Sequence, residues 1–284
     1  MPELPEVETI RRDLSVHLVG RTVESVEMTR TDILIGAAAD QIRETLEGRE
    51  VLSVGRRGKN LIVQMSGGSA LLVNLGMTGQ FFVCDPETEI ADHTHMIAKL
   101  SDRTRLVFRD VRRFGHLEPV PTGDVGVSLT LRNVGIDAMD DSFTAEVLEE
   151  ALRGRKALLK CALLDQTRVA GLGNIYICEA LHRAAIDPLA RCNELGPAAI
   201  ERLHQAIREV LTEAIASHGT TVSDYVTGTR VPGSFQKRLR VYGRENETCR
   251  DDSCGHTIVR IVQSNRATFY CPGCQAGDVE IERK

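Results

Sequence analysis

At the start of the chain apolar positions recur at spacings of three and four, with Leu4, Val7, Ile10, Leu14 and Leu18 on one stripe. That period predicts an amphipathic helix, with Pro5 early enough to be tolerated and Gly20 placed to end it. Glu3 and Glu6 then share one face of its first turn. From Thr22 the period changes to short β-like runs, VESVEM, VLSVG, LIVQM, ALLVNL, QFFVC, HMIAKL and RLVFRD, parted by Gly, Asp and Arg clusters. These predict an antiparallel sandwich or barrel. The stretch EPVPTGDVG, followed by the acidic DAMDDS, marks a domain boundary near residue 130. Helical spacing returns in ALLKCALLD, NIYICEALHRAA and PAAIERLHQAIREVLTEAIASH, the last with Ile200, Leu203, Ile207, Val210, Leu211 and Ile215 on one stripe. After Gly219 the polar run TTVSDYVTGTRVPGSFQKR is too long for an ordinary connection, so it is expected to be mobile or functional.

Composition narrows the class. The 284 residues suit two domains, and 42% apolar with 26% charged residues excludes disorder and a fibrous repeat. No run approaches the roughly 20 apolar residues of a membrane span, and MPELPEVETIRR has acids where a signal peptide is basic, so a cytosolic protein is expected. The net charge of -5 argues on its face against a nucleic-acid partner. Its distribution changes that picture. Residues 49–60 carry four basic groups against one acid, residues 99–113 six against two, and the tail from residue 230 ten against seven. The acids concentrate at 85–92 and 137–150, and segregated charge lets an acidic protein bind phosphates locally.

The strongest chemical signal is Cys249-x4-Cys254-x16-Cys271-x2-Cys274, two close thiol pairs separated by a β-like stretch. A tetrahedral Zn2+ needs two such chelating loops, and a closed four-thiolate site is structural because it leaves no open position for substrate. Cys84, Cys161, Cys178 and Cys192 are scattered in apolar surroundings and are simplest as small buried hydrophobes. The intervening hairpin puts Arg266 on a metal-fixed turn, where it is either a solvated tip residue or a phosphate ligand.

The second signal is Pro2. A small second residue usually allows removal of the initiator Met, which leaves a secondary amine. A chain-terminal amine has a pKa near 8 against about 10.4 for lysine, so far more of it is nucleophilic at neutral pH. Glu3 stands beside it as a proton donor or acceptor, and Glu6 lies one turn on. A helix start with acids at its positive end explains the same residues, so both readings stay open. Gly171-Leu-Gly173-Asn174 precedes a helix, where Asn174 is placed to cap it and exposed N–H groups to accept a phosphate. His93 and His95, two apart on an expected strand, point the same way.

Taken together these segments resemble the formamidopyrimidine-DNA glycosylase (Fpg/Nei) family of bacterial base-excision repair. The resemblance rests on MPELPEVET at 1–9, GRRGK at 55–59, NLGMTG at 74–79, DVRRFG at 110–115, GLGNIY at 171–176, GTTVSDYV through VYGR at 219–244, and RATFYCPGCQ at 266–275. It implies an α+β fold. Residues 1–130 would form an N-terminal catalytic antiparallel β-sandwich with one N-terminal helix. Residues 131–284 would form a helical DNA-binding domain with a helix-two-turn-helix element and a zinc β-hairpin at 245–284. Double-stranded DNA containing an oxidised base would lie in the cleft between them, and no second subunit is needed.

The resemblance also implies bifunctional glycosylase and lyase chemistry on oxidised purines, 8-oxoguanine and formamidopyrimidines. Pro2 would form the Schiff base, Glu3 would handle protons, Lys59 would serve β-elimination and phosphate contact, and Arg266 would grip the phosphates flanking the lesion. Met77, Arg112 and Phe114 would fill the hole left by the extruded base, and His93, Lys156, Asn174 and Asn74 match DNA-contact positions. The stretch from about 219 to 241 would cap the base. Three positions depart from the family pattern: the first cysteine pair is spaced by four residues rather than two, Asn74 stands where His is common, and Val111 replaces a proline. Two alternatives are an endonuclease VIII-like glycosylase for oxidised pyrimidines, which shares Pro2, Glu3, Lys59 and the zinc module, and a catalytically silent binder of damaged DNA.

Overall fold

The computed structural model describes residues 2–220 and 233–276. They divide into two units: residues 2–134 with 217–220 and 233–234, and residues 135–216 with 235–276.

In the first unit, α1 (Leu4–Leu18) has a proline in its opening positions, where no intrahelical N–H is lost. Its whole apolar stripe is buried, and Gly20 follows with a φ of +79°. Then come β1 (Val23–Met28), α2 (Ala39–Leu46), β2 (Val51–Arg57), β3 (Asn60–Met65), β4 (Ser69–Asn74), β5 (Gly79–Cys84), β6 (Thr94–Leu100), β7 (Arg105–Asp110) and β8 (His116–Pro121). The expected antiparallel sandwich is present as two four-stranded sheets, β1-β6-β7-β5 and β2-β3-β4-β8. They share one core with α1: Val26, Phe81, Met96 and Phe108 come from one sheet, Leu61, Val63, Leu71 and Leu117 from the other. Each such side chain contributes about 1.5–3 kcal/mol by leaving water. Strand β4 is covered on both faces, because Ala70 and Leu72 pack with Val120 and Leu131 on the side away from that core.

Two elements differ from the sequence expectation. The EPVP segment, read as part of a linker, lies in β8, an edge strand that pairs antiparallel with β4 and places Pro119 opposite Leu71 and Pro121 opposite Ser69. Proline is tolerated there because an edge strand leaves half its N–H groups outside the ladder. Helix α2 is too short for a repeating apolar signal and buries only Ile42, Thr45 and Leu46.

The second unit contains β9 (Ile136–Asp137), α3 (Ala145–Leu152), α4 (Leu159–Leu163), β10 (Val169–Ala170), α5 (Asn174–Arg183), α6 (Pro197–Ala216), β11 (Val259–Gln263) and β12 (Arg266–Tyr270). Strands β9 and β10 form a short parallel pair, and β11 and β12 form the expected hairpin. The stripe predicted for α6 is buried in full. Around the hairpin a small core joins Cys178 of α5 with Val241, Cys249, Ile258 and Cys271.

Candidate functional site

Pro2 and Glu3 are buried just ahead of α1, with Glu3 3% exposed. What holds them is Glu6, also 3% exposed. Its Oε2 accepts the Glu3 backbone N–H at 2.9 Å, and its Oε1 accepts the Thr220 N–H at 2.8 Å and the Thr220 hydroxyl at 3.1 Å. One carboxylate thus ties the first residues of the chain to the start of the GTT motif. Gly219 makes this possible: its φ is +76°, and a Cβ there would lie 2.6 Å from Glu6 Oε1. Residues 221–232, most of the segment expected to cap an extruded base, lie outside the described residues.

Lys59 is half-buried in the two-residue turn between β2 and β3, next to Asn60. Arg56 donates to the Gly58 carbonyl at 2.8 Å and pairs with Glu8 at 3.3 Å, while Arg57 donates to the Val134 carbonyl at 2.8 Å. Arg56 therefore braces the turn, while Arg57 is tied to the chain at Val134. Burial raises the Glu8 carboxyl, but hydrogen bonds from Arg11 and Arg12 and the charges of Arg11 and Arg56 more than offset this and hold it below its ordinary value.

Asn74 ends β4 opposite Asn60. Its Nδ2 donates to Asn60 Oδ1 at 2.7 Å, and its Oδ1 accepts the Gly76 N–H at 2.9 Å. The side chain closes the 74–79 turn, which has almost no spare room: Gly76 has a φ of +55°, and a Cβ there would lie 2.4 Å from the Phe114 carbonyl carbon. Met77 and Phe114 are therefore carried on adjoining loops, 40% and 55% exposed. The Arg112 guanidinium stands 4.7 Å from the Phe114 ring centroid, a cation–π contact. An apolar side chain, a cation and an aromatic thus stand exposed on neighbouring turns.

His93 and His95 do not point the same way. His93 precedes β6 with a φ of +66° and is exposed, whereas His95 is buried, and a register irregularity between Thr94 and Met96 breaks the alternation that the expectation relied on.

In the second unit Asn174 is the first helical residue of α5 and Gly173 is the cap, so Asn174 does not cap the helix as expected. Its Nδ2 instead donates to the Ala267 carbonyl at 2.8 Å. Lys160, fully buried, reaches the same carbonyl at 3.0 Å and the Thr268 hydroxyl at 2.6 Å. Thr268 donates in turn to Gln263, which donates to the Pro188 carbonyl. Directly beyond lies the turn Ser264-Asn265, with φ of +46° and +59°, the two-residue form that matches strand twist. It presents Arg266, exposed and without an ion pair among the described residues. Lys156 is exposed on the loop before α4. Glu179, buried in α5, accepts the N–H groups of Arg240, Val241 and Tyr242 at 2.8, 3.0 and 2.8 Å and so fixes the chain entering the finger.

The ligand atoms of Cys249, Cys254, Cys271 and Cys274 lie within 4.8 Å of one another. Sulfur pairs stand 3.6 Å (Cys249–Cys274) and 3.4 Å (Cys254–Cys271) apart, near the roughly 3.8 Å that tetrahedral zinc–sulfur bonds require. The residues fit one structural zinc. The enlarged first loop folds on itself: the Asp251 N–H points at Cys249 Sγ, and the Cys254 N–H donates to the Asp251 carbonyl at 2.9 Å. A backbone N–H from His256, aided by the neighbouring thiols, lowers the Cys254 thiol to about 6, while burial pushes the Cys271 and Cys274 thiols up.

Sequence reasoning missed Lys160, Glu179 and Asp110, the buried last residue of β7. The only signal for the first two was a charge inside an apolar helical run, ALLKCALLD and NIYICEALHRAA.

Comparison with known proteins places these features in one family. Residues 1–117 match the formamidopyrimidine-DNA glycosylase N-terminal domain, residues 134–226 its H2TH domain, and residues 241–277 the zinc finger found in FPG and IleRS. A formamidopyrimidine-DNA glycosylase of Pelotomaculum thermopropionicum is 42% identical over 275 residues, covering 97% of this chain and 99% of the relative. Two solved Lactococcus lactis Fpg complexes, one with abasic-site DNA and one with N7-benzyl-Fapy-dG DNA, superpose with a TM-score of 0.89 at 34% identity, covering 96% of this chain and 99% of theirs.

Proposed function

The chain belongs to the formamidopyrimidine-DNA glycosylase family, and from that premise we propose that it excises oxidised purines from duplex DNA in base-excision repair and then opens the strand. The observation that carries the proposal is the held N-terminus, in which Glu6 fixes the backbone of Glu3 beside Pro2. Freed of Met1, the Pro2 nitrogen attacks C1′ of the damaged nucleotide as the bond to the base breaks. Glu3 manages the proton that leaves with the base, and Glu6 is a positioning residue for both. Loss of the amine proton and protonation of O4′ then break the C1′–O4′ bond and turn the resulting aminal into a ring-opened iminium, which acidifies the C2′ hydrogen, so that β-elimination expels the 3′ phosphate and δ-elimination the 5′ phosphate, with Lys59 moving a proton.

Base extrusion leaves a hole in the stack. Met77, Arg112 and Phe114 fill it, and His93, Lys156, Asn174 and Arg266 bind the phosphates around it. Asn74 enters through the turn it closes. Residues 1–130 with the N-terminal chemistry and 131–284 with the DNA-binding elements are the functional division we assign. The structural zinc holds the Arg266 hairpin. Among the described residues no helix is long and apolar enough to cross a membrane. A monomer in the bacterial cytoplasm, working on the nucleoid, fits this reading.

Borohydride trapping on a duplex containing 8-oxoguanine tests the proposal. A covalent adduct is expected with the native protein and not with Pro2→Gly; no adduct from the native protein, or an undiminished one from the variant, overturns it. An oxidised-pyrimidine duplex run in parallel is expected to trap poorly, and the N-terminal mass is expected to lack Met1.

A further inference from the structure

Met77, His93, Arg112 and Phe114 ride on three loops that are distant in sequence, and all three loops end on one residue. Asp110 is fully buried at the end of β7. Its Oδ1 accepts the Thr78 hydroxyl, from the loop of Met77, and the Arg112 N–H at 3.2 Å. Its Oδ2 accepts the Gly115 N–H at 2.7 Å, just past Phe114. Its own N–H donates to the His93 carbonyl at 3.0 Å, and its carbonyl accepts Nε2–H of buried His95 at 2.8 Å. Thr78 Oγ1 also accepts the Arg112 N–H at 3.1 Å, so the two loops are joined directly as well.

Exposed turn residues gain little from apolar packing, so their backbone must be fixed some other way. A carboxylate has two oxygens able to accept about four hydrogen bonds, and in a buried setting those bonds strengthen one another. Val111, which stands where the family usually has a proline, leaves the 110–115 loop without that ring's restraint. The carboxylate supplies the restraint from inside.

We propose that Asp110 is a positioning residue for base extrusion, setting the wedge loops in one arrangement before DNA binds. The proposal rests on the wedge assignment above. Asp110 is fully buried, so it acts through the loops it holds, on the step in which a stacked base is displaced. A preformed abasic site has no base to displace and asks much less of the wedge.

The test compares Asp110→Asn and Thr78→Val in two single-turnover assays, excision from an 8-oxoguanine duplex and borohydride trapping on a preformed abasic-site duplex. Excision by Asp110→Asn is expected to fall by roughly 10- to 100-fold, the range that one lost hydrogen bond to a charged group carries. Trapping on the abasic duplex is expected to stay within about threefold of the parent. Thr78→Val is expected to show the same split more weakly, and Thr78→Ser, which keeps the hydroxyl, to restore excision. Equal losses in both assays, or no loss in either, overturn the proposal. If Asp110→Asn does not fold, by its melting transition, the Thr78 pair decides on the same criteria. A parent protein that fails on the 8-oxoguanine duplex defeats the functional reading instead, whereas an active parent with unaffected variants defeats only the role of Asp110.

Discussion

In the first unit the loops carrying Met77, Arg112 and Phe114 end on a buried carboxylate, Asp110, that gathers donors from Thr78, Arg112 and Gly115. In the second, the hairpin carrying Arg266 rests on a buried ammonium, Lys160, that gathers the acceptors Ala267 and Thr268. Opposite charges do the same work because each meets backbone groups of the opposite polarity. The difference lies in what backs them up. The hairpin has four thiolates around a metal a few residues away, while the loops of Met77 and Phe114 are held by hydrogen bonds, a cation–π contact and the close-packed Gly76 and Gly115. The second arrangement should fail as a block when the metal goes, and the first should degrade contact by contact.

The largest effect expected is from zinc removal. Structural zinc contributes about 10–16 kcal/mol in zinc-finger peptides, so chelation or Cys271→Ser should unfold the finger and abolish DNA nicking. Released zinc, read with a metal indicator, should track the loss of nicking; nicking that survives complete release would show that the hydrogen bonds alone hold the hairpin. Gly76→Ala strikes the other side of the comparison. Its left-handed backbone and the overlap with Phe114 should cost about 2 kcal/mol or more, and excision should fall while zinc content stays at one per chain. Loss of zinc in that variant would mean the two anchors are not independent.

Lys160→Met asks how much the ammonium adds to the metal. Loss of its hydrogen bonds should lower stability by about 1–3 kcal/mol and weaken DNA binding with zinc retained. An unchanged melting temperature and affinity would assign the hairpin to the metal alone. The smallest effect belongs to Glu8, which braces the Lys59 turn through Arg56. Its carboxyl is held below the ordinary 4.5 in the folded state, so its stabilisation is fully present above that value and is lost as pH falls through the lowered one. Glu8→Gln should melt slightly lower than the parent at neutral pH, by about 1 kcal/mol, and the gap should close on acidification. A gap that does not change with pH counts against the ion pairs.

These anchors also mark where the sequence was legible. Strands such as VESVEM and RLVFRD coincide with β1 and β7, because short runs of β-formers between polar clusters mark a strand even where burial does not alternate: β1 buries Val23 and Val26, and β7 buries Leu106, Val107 and Phe108 in succession. The zinc cluster was readable because chelation imposes spacing on the chain itself, and the metal and the family both stand. Pro2, Glu3 and Lys59 are proposed from motif and amine chemistry, and Glu6 sits in the first turn where the helical period placed it. Asp110, Lys160 and Glu179 were not reachable in the same way. A buried charge is stable only if distant segments bring it partners, and those partners, Thr78 for Asp110 or Ala267 for Lys160, are visible only after folding. His95 and β8 were missed for a local reason, since an irregular register and two prolines disguise strand patterns that are otherwise regular.

Those two prolines have a consequence for copies of this protein crowded together. Residues two apart in a strand direct their N–H groups to the same side, and Pro119 and Pro121 have none to offer. The outer edge of β8 therefore lacks two donors with which a strand from another molecule would pair, so the sheet cannot easily be extended by a neighbour. That side of the sandwich is thereby closed to growth strand by strand, however crowded the copies become.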